Sequence, residues 1–155
     1  MASEHPSWSR DGYVVTTDPA RLDFEVVHNF LKDAYWSRGV PREVAERSIR
    51  NSLPFMLLEP DGGQCGFARV VSDRAVFAYL GDVFVLPAHR GRGLGLWLVE
   101  CVLAHPELQG LRRWFLATVD AHGLYSRVGF GPMPRPEIHM VIEHAPHELW
   151  GSPEA

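Results

Sequence analysis

Arginine and glycine alternate through Arg90-Gly91-Arg92-Gly93, and a further glycine, Gly95, stands two residues on. The apolar run Val83-Phe84-Val85-Leu86 leads into this stretch, and apolar residues at helical spacing (Leu94, Trp97, Leu98, Cys101, Val102) follow it. A strand-to-helix turn of this composition suits an anion. Glycines leave the backbone N–H groups unobstructed, and those groups lie at the positive end of the helix dipole. Arg90 and Arg92 add charge in a form that matches phosphate oxygens. There is no Gly-Lys-Ser/Thr, which argues against a nucleoside-triphosphate loop. The glycines are spaced G-x-G-x-G rather than G-x-G-x-x-G, which argues against a dinucleotide site. A purely structural glycine-rich connection is the alternative.

The elements that must position this turn can be read on either side of it. Tyr13–Thr17 is a β-branched run closed by Asp18-Pro19, a first strand. Phe24, Val27, Leu31 and Tyr35 share one helical face. Ser37-Arg38-Gly39-Val40-Pro41 breaks that pattern. A second helix follows Pro41, with Val44, Ala45 and Ile49 inward. Phe55–Leu58, Gln64–Val71 and Ala75–Leu86 read as an antiparallel meander, turning first at Pro60-Asp61-Gly62-Gly63. The helix from Arg90 ends at His105-Pro106. Trp114–Val119 is a strand, and Asp120 is a candidate N-cap for a short helix over Ala121–Arg127, closed by Gly129. Phe130–Met133 and Glu137–Glu143 read as closing strands, with Ile138, Met140 and Ile142 on one face. The order β-α-α-β-β-β-α-β-α-β-β predicts an α/β domain with a mixed sheet.

The 155 residues fit a single domain, 1–155, with its core over about 13–143 and tails at Met1–Asp11 and Gly151–Ala155. A net charge of −4 lacks the basic surplus of a nucleic-acid binder. No apolar run is long enough to span a membrane, and the polar start does not read as a signal peptide. A cytoplasmic location is therefore expected. Cys65 and Cys101 lie among apolar residues and read as buried reduced thiols. The histidines show no metal-ligand spacing, so no metal is expected.

Arg90-x-x-Gly93-x-Gly95 matches the R/Q-x-x-G-x-G/A signature of GCN5-related N-acetyltransferases, the GNAT family. Ala121, Leu124-Tyr125 and Gly129-Phe130 resemble that family's second signature, in the right order and spacing. The element order from Tyr13 to Glu143 is also similar. The resemblance implies a GNAT-type fold in which two strands splay into a V, with the pantetheine of acetyl-CoA in the cleft. It implies direct transfer of an acetyl group to a primary amine of a small molecule or peptide.

Carried onto this sequence, the cofactor contacts fall at Val83, Phe84 and Val85 and along Arg90, Gly91, Arg92, Gly93, Leu94, Gly95 and Leu96. Thr118 and Tyr125 complete them, although many members have asparagine where Thr118 stands. The resemblance assigns the oxyanion-binding N–H to Val85, the base or water relay to Asp82, and thiolate protonation to Tyr125. Asp73 and Glu59 are further acidic candidates. The acceptor would meet Tyr35, Trp36 and Arg38. Aromatic rings there could enclose a cation, whereas Arg38, Arg42 and Arg47 could hold a carboxylate. Amino acids, polyamines, antibiotics and peptide N-termini all stay open as acceptors, and so does a homodimer. The rival functions are a non-catalytic acyl-CoA-binding module and a nucleotide-binding regulator.

Overall fold

A computed structural model of the chain describes residues 4–151. At its centre is β3 (Leu53–Leu58), whose sequence LPFMLL is apolar at almost every position. Such a strand must be covered on both faces. Phe55 and Leu57 point into one buried cluster, and Met56 and Leu58 into another. Helices α1 (Phe24–Leu31) and α2 (Arg42–Arg50) supply the Met56 side, through Val27, Leu31, Ala45 and Ile49. Helix α3 (Leu94–Leu103) supplies the Phe55 side, through Leu94, Leu98, Val99 and Val102.

Six strands form one sheet in chain order: β1 (Ser7–Arg10), β2 (Tyr13–Thr16), β3, β4 (Gln64–Ser72), β5 (Phe77–Val85) and β6 (Arg113–Phe115). All neighbours are antiparallel except β5 and β6, which are parallel and joined through α3. The expected α/β mixed sheet, the central meander and the crossover are all present.

Other expectations shift. The segment Met1–Asp11, read as a tail, contains β1, which forms a hairpin with β2; residues 1–3 lie outside the described residues. Helix α1 stops at Leu31 instead of reaching Tyr35. The Ser37 hydroxyl donates to the Leu31 carbonyl at 2.6 Å, and Gly39, at φ 79, closes the turn. Helix α3 begins at Leu94 rather than Arg90, because Gly91 and Gly93 hold φ values of 80 and 74, which no α-helix accommodates.

The strand expected over Trp114–Val119 is reduced to Arg113–Phe115, paired with Phe77–Tyr79. Past that point β5 bulges. Phe67 opposes Phe84 and Arg69 opposes Gly81, so three steps on β5 answer two on β4. The bulged residue is Asp82, at φ 54. A bulge bends its strand and disrupts the local ladder. No β5–β6 pairing continues beyond it, and the two strands part.

The short helix α4 covers His122–Ser126. Asp120 does not cap it; the Thr118 hydroxyl accepts the Ala121 N–H instead, at 3.1 Å. The closing strands Phe130–Met133 and Glu137–Glu143 are not formed among the described residues, and Ile138, Met140 and Ile142 face water. The described residues close with helix α5 (Pro146–Trp150), whose Trp150 rests against the α1–α2 cluster, and Gly151; the rest of the expected tail, 152–155, lies outside the described residues.

Candidate active site

The parted ends of β5 and β6 enclose a cavity of about 390 Å³. Gly81, Asp82 and Val83 line one wall and Leu116, Ala117 and Thr118 the other. Tyr35 and Trp36, from the turn after α1, close one side; Tyr125 of α4 and Trp150 of α5 also reach in. Of the three acceptor candidates, Tyr35 and Trp36 are thus brought to the site. Arg38 is exposed and does not line the cavity. Arg42 is engaged elsewhere, with Glu25 at 2.6 Å and with the Phe24 ring.

Asp82 is the best-connected group in the cavity. The Trp36 indole N–H donates to its Oδ1 at 2.8 Å, and Arg69 Nε donates to its Oδ2 at 2.5 Å. Its side chain is 9% exposed, so the carboxylate itself is largely sheltered from water. Arg69 also donates to the Ser52 hydroxyl. Arg69 and Trp150 line the cavity but were not expected from sequence. A charged residue within the apolar strand Gln64–Val71 was the available signal for Arg69; Trp150 left none, since it reaches the site only through the tertiary path of the chain.

Asp73 lies apart. It accepts the backbone N–H groups of Ala75, Val76 and Phe77, which hold its carboxyl below the usual range and account for it as a turn residue. Glu59 pairs with His89 Nε2 at 2.7 Å, and His89 Nδ1 meets the Tyr13 hydroxyl at 2.9 Å. Together with Cys65 they are the one three-residue group of ligand-type side chains among the described residues. Both ring nitrogens of His89 already have protein partners there. Cys65 and Cys101 are free thiols, pushed by burial to about 11 and about 12. Neither is poised to act as a nucleophile.

Tyr125 stands edge-on to Phe130, with ring centroids 5.9 Å apart. Its hydroxyl forms no hydrogen bond with other described residues. Burial first, then Tyr35, Asp120 and Tyr79, pushes its pKa up to about 12. The group therefore keeps its proton through the neutral range, beside the cavity that it lines.

The turn that follows β5 offers a row of donors. The Leu86 N–H bonds to the Cys65 carbonyl on β4 at 2.8 Å. By the alternation of an antiparallel ladder, the Val85 N–H and C=O then point away from β4, to the side where β6 has departed. Arg90 Nε donates to that Val85 carbonyl at 2.9 Å and fixes the strand end. The first helical bond of α3 runs from Trp97 N–H to the Gly93 carbonyl. The backbone N–H groups from Gly91 to Leu96 have no acceptor among the described residues. A Cβ built on Gly91 or Gly93 would meet nothing within 4 Å, so the space in front of these donors is open. A Cβ built on Gly95 would lie 3.5 Å from a Leu124 methyl, so the two sequence signatures come together here. Arg92 reaches the Tyr13 hydroxyl at 3.4 Å, beside the turn.

A splayed mixed sheet, a helix start whose N–H groups have no acceptor among the described residues, and a tyrosine across the cleft fit an acyltransferase. Comparison with known proteins gives the particular family. The acetyltransferase (GNAT) domain family matches residues 51–132, a span that contains Asp82, Val85, the Arg90–Gly95 turn, Thr118 and Tyr125. A candidate acetyltransferase of Gibberella zeae, FG08082, is 31% identical over 143 residues, covering 78% of this chain and 80% of its own. A crystal structure of a candidate GNAT acetyltransferase from Xanthomonas campestris is 50% identical, with a TM-score of 0.84, covering 86% of this chain and 94% of its own. Glucosamine-6-phosphate N-acetyltransferase from Arabidopsis thaliana shares the fold, with a TM-score of 0.56 at 17% identity over 91% of this chain and 99% of its own. This chain belongs to the GNAT acetyltransferase family. No helix among the described residues is long and apolar enough to cross a membrane.

Gly93→Val tests the turn. Valine at φ 74 is strained by about 1–3 kcal/mol, and its branched side chain fills the open space before the free N–H groups. Isothermal titration should show CoA affinity falling beyond detection, with far-ultraviolet circular dichroism retained. Near-normal affinity would mean the phosphates lie elsewhere.

Proposed function

We propose that the protein moves an acetyl group from acetyl-CoA directly to a primary amine of a small molecule or peptide. The observation that carries this reading is the row of N–H groups from Gly91 to Leu96 that have no acceptor among the described residues, opening beside the parted ends of β5 and β6. Those groups, with Arg92 and the remaining donors of Arg90, would hold the pyrophosphate. The pantetheine arm would lie between Val83–Val85 and Thr118. When bound, acetyl-CoA supplies an activated thioester.

The chain's own groups then do four things. The Val85 N–H donates to the acyl carbonyl oxygen, where charge builds during attack; one such donor contributes about 2.7–4 kcal/mol. The free lone pairs of Asp82 receive the acceptor's ammonium and take its proton, directly or through one water. Tyr35 and Trp36 cover the amine with aromatic surface. Tyr125 gives its proton to the sulfur as the C–S bond breaks, and its phenolate is reprotonated by the second proton that the newly acylated nitrogen sheds. A non-catalytic binding module would need none of these cavity groups, and that favours the enzyme.

A thermal-shift series tests the assignment. CoA and acetyl-CoA at a hundredfold excess over Kd should stabilise the protein by about 2.7 kcal/mol. For a chain of this size that is a Tm rise of about 5–11 °C. ATP and NAD should give no shift; an equal shift with ATP would refute the donor. Release of free thiol from acetyl-CoA across amino acids, polyamines, aminoglycosides and short peptides would then identify the acceptor.

A further inference from the structure

Ile138, Met140, Val141 and Ile142 stand 55%, 99%, 81% and 91% exposed. Four large apolar side chains within five positions form a patch rather than the scattered exposure normal for a surface. Ile138, Met140 and Ile142 alternate, as on a strand with one apolar face, and Glu137 and Glu143 bracket them. Met140–Glu143 form no hydrogen bond with other described residues. The segment has the sequence of a strand and no sheet to join.

The same molecule has a sheet edge and no strand to cover it. Strand β6 pairs with β5 alone, and none of its three residues is buried. A groove of about 1080 Å³ runs along it, with Trp114, Leu116 and Phe130 in its walls and Arg112, Arg113 and Arg135 beside them. The chain leaves this groove through Pro134-Arg135-Pro136, with Arg135 held at φ 50, and the segment beyond does not line it; it meets β6 only through His139 Nε2, 3.4 Å from Arg113 Nη1, and forms no ladder with it. Short connections under strain favour the exchange of an element between copies.

The geometry points to a second copy of this chain as the occupant: residues Glu137–Glu143 of each copy add to β6 of the other as an exchanged strand. The pieces match in chemistry as well as in shape. Apolar alternation meets the apolar walls, and the flanking Glu137 and Glu143 meet the arginines. Both copies exchange the same segment, so the contact is self-complementary and closes as a twofold pair. Because Leu116, Ala117, Thr118 and Tyr125 line this groove as well as the site cavity, each partner strand also backs the other's site. The pairing itself does not depend on which reaction the site performs.

Sedimentation velocity of the full chain over a concentration series tests the pairing. The wild type should sediment as a dimer. Met140→Asp combined with Ile142→Asp should raise its dissociation constant on the order of a hundredfold, since unpaired carboxylates would enter an apolar groove. Both side chains face water in the single copy, so the variant's circular dichroism should be unchanged. A wild type that is monomeric throughout, or a dimer that survives both substitutions, overturns the proposal. Hydrogen exchange on the wild type gives an independent reading. Slow exchange at Met140–Ile142 that quickens on dilution supports the exchanged strand; fast exchange within a dimer, or slow exchange within a monomer, overturns it.

Discussion

Tyr125→Phe should lower kcat by about 10²–10⁴-fold, the usual contribution of a positioned general acid, while acetyl-CoA affinity holds. The substitution removes one hydroxyl and keeps the ring that stands against Phe130. Since that hydroxyl has no partner among the described residues, its loss leaves no orphaned donor or acceptor there, and stability should move by less than about 0.5 kcal/mol. The tyrosine is active as a donor only while protonated. With its pKa pushed up to about 12, its contribution is present across the neutral range and is lost only in strong alkali. An acyl donor with a more acidic thiol needs less protonation of the leaving group, so the loss should shrink for it. A packing defect would slow both donors equally. Single-turnover rates with the two donors separate these cases, and an unchanged rate with acetyl-CoA would remove Tyr125 from the chemistry.

Arg69→Met should be the most damaging substitution away from the Gly91–Gly95 turn. Removing one partner of a buried ion pair leaves an uncompensated charge and costs about 3–5 kcal/mol. Arg69 is 19% exposed, so the lower end applies. A loss of about 3 kcal/mol lowers Tm by roughly 6–12 °C in a chain of this size. Asp82→Asn should cost less, because the amide oxygen can still accept the Trp36 N–H. In the double variant the orphaned charge is gone, and much of the Arg69→Met loss should return. Thermal unfolding of all four proteins completes the cycle. Strict additivity would show that the 2.5 Å contact carries no coupling. The kinetics divide differently. If Asp82 receives the acceptor's proton, Asp82→Asn stays slow even when saturated with amine, and recovers as pH rises and the free amine becomes available.

What could be read from the sequence was local. Gly91 and Gly93 adopt positive φ because only glycine does so at little cost, and a helix must start after them, so the glycine turn is legible in six residues. The hairpin at Pro60–Gly63 and the apolar run of β3 carry their signals within a few residues as well. The second signature was readable for the same reason: the α4 turn sets Leu124 and Tyr125 side by side, even though Gly95, which meets Leu124, is far away in the chain.

The tertiary structure decided the rest. Asp82 was a candidate by position alone. Its partners Arg69 and Trp36 lie 13 and 46 residues away, and they meet it because the bulge turns its carboxylate inward between β4 and the turn after α1. Helix α1 ends four residues before its apolar spacing does, because Ser37 and Gly39 close a turn that periodicity does not register. Residues 137–143 show the limit most plainly. Their alternation is a strand's, and α4 formed where it was expected just before them. A helix satisfies its backbone from within its own turns, whereas a strand needs a neighbouring edge. Whether that edge is within reach is a property of the fold and not of the segment.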